Sequence, residues 1–190
     1  MGFVFVSGRR SLDFAGTRKW RRSDAPEEQL LSPADLSAWV EAAGLLDAAP
    51  AFGESDLRAA IDLREAVYRT ASARLDDRRP EQGDVTLLND HARRPGLVPT
   101  LLPDGSTRRS GSAGELLATL AADLLDLLAA PARVKRCANT ECTRLYVDTS
   151  RAENRQWCGM SECGNRAKVR AYRRRHREGD RSPADDRTTG

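Results

Sequence analysis

Cys137-Ala138-Asn139-Thr140-Glu141-Cys142 and, beyond a fifteen-residue insert, Cys158-Gly159-Met160-Ser161-Glu162-Cys163 decide the fold of the C-terminal part of this chain. Two cysteine pairs, each with four residues between its members, suit one tetrahedral all-thiolate zinc site with Zn–S bonds of about 2.3 Å. The gaps are wider than the two-residue knuckle usual for such pairs. Yet the four cysteines are all the cysteines of the chain, so none is left over. The surrounding segment is poor in apolar residues, so metal binding has to supply folding free energy there. Four thiolates close the coordination shell, whereas a catalytic zinc keeps a position open. The expected role is therefore structural.

The rest of the composition is consistent with this reading. The chain has 190 residues, 39% of them hydrophobic and 31% charged, which describes a globular protein rich in surface charge. No apolar run approaches the roughly 20 residues of a bilayer span. Asp123 and Asp126 interrupt the nearest candidate, Leu116 to Leu128. The opening residues Met1 to Val6 are too short for a signal-peptide core. A cytoplasmic location is expected, and in that reducing compartment four cysteines point to metal rather than disulfides.

Cys163 opens a stretch without proline that reads as a helix. Arg166, Arg170, Arg173 and Arg177 recur at helical spacing and form one stripe, widened by Lys168, Arg174 and Arg175. Val169, Tyr172 and His176 line another side and are expected to pack on the zinc core. The charge is asymmetric along the chain. Residues 1–131 carry 16 Lys+Arg against 20 Asp+Glu, and residues 132–190 carry 15 against 8, for an overall +3. A guanidinium stripe of this kind matches a phosphate backbone, with affinity driven by counterion release. Binding of duplex DNA, binding of RNA and a zinc-stabilised protein-interaction module all stay open at this point. Trp157 is expected to shield the thiolates, and Asp148 to accept hydrogen bonds from Arg151 or Arg155. Residues 179–190 have the composition of a disordered tail.

Upstream, residues 1–131 read as a mainly helical domain with a short β element. Phe3 to Val6 is aromatic and β-branched, which suggests a strand. Helices are expected over Pro33 to Ala43, capped by Ser32 and stopped at Gly44, and over Ser55 to Leu75, capped by Ser55. Two more are expected over Asp84 to Arg93 and Glu115 to Ala130, the latter closed by Pro131. A hairpin turns at Pro103-Asp104-Gly105 between Leu97 to Leu102 and Thr107 to Ser110. The fold class is α+β, with a four-cysteine zinc finger (132–178) and its basic helix appended to the helical domain.

Arg64 falls at the centre of the apolar face formed by Leu57, Ile61, Val67, Tyr68 and Leu75. A buried guanidinium has to be paired, and Asp13 is the expected partner. The alternative is an anion-binding pocket anchored by Arg64 with Asn89 beside it. No Gly-rich phosphate loop, nucleophile constellation or His-rich metal motif points to an enzyme.

The tetrapeptide Cys163-Gly164-Asn165-Arg166, with Cys137, Cys142, Tyr146, Asp148 and Trp157-Cys158 before it, resembles the CGNR zinc-finger family. Gln156 stands where that family usually has a second Arg. Ser11-Leu12-Asp13-Phe14, Leu63-Arg64-Glu65-Ala66-Val67-Tyr68 and Leu88-Asn89 resemble segments of the ABATE domain that usually precedes this finger, with Gly16 where an Asn is common. The resemblance implies a bacterial, stress-related transcription regulator. Its finger would bind DNA, and its first domain would sense a ligand or form a homodimer.

Overall fold

Apolar residues recurring at helical intervals make Glu54–Leu75 the longest element among the described residues and the axis of their core. The computed structural model describes residues 2–130, 133–165, 168–169 and 172–173. Within them the order is α1 (Arg10–Ala15), β1 (Arg18–Lys19), β2 (Glu27–Glu28), α2 (Pro33–Ala42), α3 (Glu54–Leu75), α4 (Gln82–Ala92), β3 (Thr100–Leu101), β4 (Thr107–Arg108), α5 (Ala113–Ala129), β5 (Val134–Arg136) and β6 (Leu145–Val147). The strands form three antiparallel pairs, β1 with β2, β3 with β4 and β5 with β6.

Helix α3 packs against α1, α2, α4 and α5. Leu12, Phe14, Trp39, Leu63, Leu116 and Leu120 fill the space between them, each at most 1% exposed. Truncating such a leucine to alanine costs about 2–5 kcal/mol. Phe14 and Trp39 meet in a tilted pair with ring centroids 4.8 Å apart. The helix starts follow their local chemistry. Ser32 and Asp35 form the reciprocal capping box of α2, and Ser112 and Glu115 that of α5. Gly44, at φ +62°, lies just past the end of α2, where the backbone turns left-handed. Asp123, within the apolar run of α5, accepts from the backbone N–H and the hydroxyl of Ser11 and so caps α1.

Several expectations need correction. Helix α3 begins at Glu54 with Gly53 as its cap residue, and Asp56 rather than Ser55 closes the cap by accepting from Gly53 N–H. Helix α1 covers the Leu-Asp-Phe segment, whose six residues are too few for a readable period. No strand forms at Phe3–Val6. That segment has its polar groups taken by side chains instead of a partner strand. Asp13 accepts from the N–H groups of Val6 and Ser7, Arg144 donates to Val4 O, and Arg155 donates to Val6 O. The hairpin around Pro103-Asp104-Gly105 is present, with paired strands of two residues each. Pro131 lies outside the described residues, as do the expected domain boundary at 131–132 and the tail at 179–190.

Candidate metal centre

The two halves of the cysteine module are brought together by the β5–β6 hairpin and by a turn. Strand β5 runs into Cys137, and Cys137 N–H bonds back to Arg144 O, which keeps the hairpin ladder closed around the first pair. Cys142 N–H bonds to Asn139 O, turning the chain so that the second sulfur faces the first. On the other side Gly159 O accepts from Cys163 N–H and Gly164 N–H, winding Met160–Gly164 into a single wide helical turn. Ala138 N–H to Gln156 O ties the two halves together.

All four cysteines are buried and none is in a disulfide. Their sulfur atoms lie within 4.8 Å of one another. Cys142 Sγ and Cys158 Sγ are 3.8 Å apart. A tetrahedron with bonds of about 2.3 Å has edges of about 3.8 Å, so this spacing fits a zinc–thiolate site. Backbone N–H of Cys158 points at Cys137 Sγ at 3.5 Å, and Asn139 Nδ2 at Cys163 Sγ at 3.6 Å. Such donors stabilise thiolate charge and orient the ligands.

Electrostatics give the same answer. Hydrogen bonds from the Cys142 and Cys158 thiols pull the Cys137 thiol down to about 2. Interaction with Cys137 pushes Cys142 up to about 12 and Cys158 further still, while burial raises Cys163. Four thiolates this close repel one another and require a cation in their midst. A zinc ion bound there would fix the two halves of the module and complete a closed structural site.

Around the sulfurs, Trp20 and Trp157 pack as a partial lid, so the shielding expected of Trp157 is shared with a residue 137 positions upstream. Tyr146 is fully buried beneath them, its hydroxyl donating to Arg155 O at 2.7 Å and its ring under the Arg155 guanidinium at 4.3 Å. Burial raises the phenol to about 12. Asp148 does order the loop between the pairs, through groups other than the expected guanidiniums. It accepts from Lys135 Nζ at 2.6 Å, from Ser150, and from the backbone N–H of Arg155. The Lys135 ammonium and Ser150 hold its carboxyl well below the ordinary range.

The module is docked on the helical domain. Leu145 belongs to the main core, and β6 packs on α1 and α3. Arg144, 6% exposed, donates to Val4 O at 3.1 Å and Gly16 O at 3.3 Å. The Arg155 guanidinium donates to Trp157 O, Val6 O and Cys158 O. Arg136 reaches Asp76 at the end of α3. The sequence reading missed Arg144, and it gave Arg155 only as a partner of Asp148, not as a tie to Val6. Their signal was position alone: one is two residues after the second cysteine, the other three before the third.

Arg64 is fully buried, as its place on the helix demanded, but Asp13 is not its partner. Glu28 receives both guanidinium nitrogens at 2.5 and 2.7 Å, and Glu65 accepts from Nε at 3.0 Å. Asp13 is spent on the N-terminal segment, and β2 brings Glu28 in its place. Asn89, half-buried on α4, is not among the hydrogen-bond partners of Arg64. The guanidinium is thus saturated by protein groups, which is the expected ion pairing with a different partner, and the alternative of an anion pocket at Arg64 has no donor to offer.

Of the nucleic-acid candidates, Lys168 and Arg173 are helical and exposed, as are Asn165, Val169 and Tyr172. Arg166, Arg170, Arg174 and Arg177 lie outside the described residues. Val169 and Tyr172 are 47% and 56% exposed, so they do not pack on the zinc core as expected. An open groove of about 440 Å³ is lined by Asn154, Gln156, Trp157 and Met160.

The profile of the ABATE family, described as "Putative stress-induced transcription regulator", matches residues 8–131. That of the CGNR zinc finger matches residues 133–176. Comparison with curated proteins returns no match.

Proposed function

This chain belongs to the ABATE family and carries a CGNR zinc finger, and from that premise we propose that it is a transcription regulator whose finger binds duplex DNA. The observation that carries this reading is the union of a closed four-cysteine centre with the basic sequence that follows it. A zinc ion held by Cys158 and Cys163 would fix Met160–Gly164, and the sequence continues from there into Asn165, Lys168 and Arg173. A basic segment anchored at its start by a metal site is pre-organised, so less conformational entropy is lost on binding a rigid duplex.

Phosphate contacts would come from Arg166, Lys168, Arg170, Arg173, Arg174 and Arg177. Arg forks bind phosphate oxygens bidentately, and four contacts from the Arg166, Arg170, Arg173 and Arg177 stripe alone give a log–log salt slope of about −3.6. Asn154 and Gln156, both exposed in the groove beside Trp157, are the residue types that read adenine edges. The helical domain would act as the sensory or dimerisation part, in a cytoplasmic, non-enzymatic, bacterial stress-response regulator.

Selection of bound sequences from a random duplex pool by the zinc-loaded protein tests the proposal. Enrichment of a short motif supports it, and a palindrome would add a dimer. Retention of structured RNA over duplex at matched salt would move the function to RNA. Absence of any nucleic-acid binding at low salt would leave a protein-interaction module.

A further inference from the structure

We infer that the cleft between the C-terminal end of α3 and strand β5 binds a small phosphorylated anion. The cleft encloses about 400 Å³, and its wall carries Arg21, Arg22, Arg69, Arg78, Arg79 and Arg136 against only Asp76 and Glu81. This is a local concentration of guanidinium in a domain with more acidic than basic residues. Several of these arginines are held in place from behind. Arg69 is bidentate to Asp84, Arg21 pairs with Glu65 and lies 4.1 Å over the Tyr68 ring, and Arg78 and Arg136 share Asp76.

Three polar atoms in that same wall are buried and have no hydrogen-bond partner among the described residues: Arg21 Nε, Ser72 Oγ and Arg136 Nε. Ser72 is only 8% exposed, and the Arg21 side chain 10%. Buried donors are nearly always satisfied; these three, themselves out of reach of solvent, leave the wall short of acceptors, and the exposed Arg22, Arg78 and Arg79 are the groups an incoming anion meets first. A phosphoryl group offers three strong acceptor oxygens and matches the Arg fork. The volume is that of a small-molecule site rather than a macromolecular groove.

The position of Arg136 gives the site a consequence. It directly precedes the metal ligand Cys137 on β5, and its partner Asp76 ends α3. An anion that competes with Asp76 for Arg136 acts on the strand that leads into the metal centre. This coupling rests on reading the chain as a DNA-binding regulator; the anion binding does not.

The test is a titration of the zinc-loaded full chain with inorganic phosphate at constant ionic strength, following arginine Nε–H resonances. Saturable shifts of Arg21 and Arg136 are expected, weakened at least tenfold in R22A/R79A, whose residues are both exposed, and unchanged in R93A/R108A. Absence of saturable shifts, or equal binding in both double variants, overturns the inference. Duplex DNA shifting these resonances while phosphate does not would also overturn it, assigning the cleft to the nucleic-acid backbone. DNA binding measured without phosphate reports separately on the regulator reading.

Discussion

Arg144, two residues beyond the metal ligand Cys142, donates to the backbone carbonyl of Gly16, 128 residues upstream. A Cβ at Gly16 would sit 2.3 Å from Arg144 Nη1. The glycine is there because a guanidinium fills the space of its side chain; at φ −73° the backbone itself makes no such demand. The bare Cα at 16 thus leaves room to seat an arginine from the finger.

Arg144→Ala should therefore destabilise the protein by about 2–3 kcal/mol, because the Val4 and Gly16 carbonyls lose their donor. Gly16→Asn should cost a similar amount by displacing the guanidinium, about 1–3 kcal/mol. The two changes should be less than additive, since both remove one interaction. Urea unfolding of the single and double variants, zinc-loaded, measures this.

Arg64→Ala should cost about 2–4 kcal/mol, somewhat less than a fully buried pair because Glu28 keeps 28% of its side chain exposed. Arg64→Lys should recover only part of this, as a single ammonium cannot serve two Glu28 oxygens and Glu65 together. Thermal unfolding of both variants provides the comparison.

Acid should loosen the same cluster. Burial alone would raise Glu28 and Glu65, but hydrogen bonds from Arg64 and Arg21 outweigh it and hold both below the ordinary 4.5. Because the folded values lie below the unfolded one, the stabilisation is complete above pH about 4.5 and is lost as pH falls through the folded values. The difference in stability between the natural chain and Glu28→Gln should shrink across that window. Taking this difference removes the separate acid loss of the metal, which both proteins share.

How much of this was legible differed between elements for physical reasons. The capping box at Ser32 and the periodicity of α3 are local, and local chemistry can be read along a chain. The four cysteines were legible because a thiolate tetrahedron is demanded by residue type and spacing. Arg64 was legible as buried but not as to its partner, because Glu28 reaches it through a two-strand pairing, β1 with β2, too short to leave a pattern. Phe3–Val6 had the composition of a strand, yet arginines over 100 residues away took its carbonyls. A single arginine carries no periodicity to announce that.

Removing zinc with a chelator should dismantle the module while sparing most of the helices, since the α1–α5 core is built without the cysteines. Far-ultraviolet dichroism should change little. Tryptophan emission should shift to the red as Trp20 and Trp157 lose their packing on the sulfurs. Metal analysis beforehand should give one zinc per chain.

The central claim is that the metal centre holds a basic surface for duplex DNA, and anisotropy titration of a labelled duplex addresses it directly. Zinc-loaded protein should bind with an affinity falling as salt rises, at a log–log slope of about −3 to −5. Cys158→Ser, which removes one ligand, should lose at least tenfold in affinity at the same salt. Equal binding by the two proteins, or no binding by the zinc-loaded chain at low salt, would contradict the account.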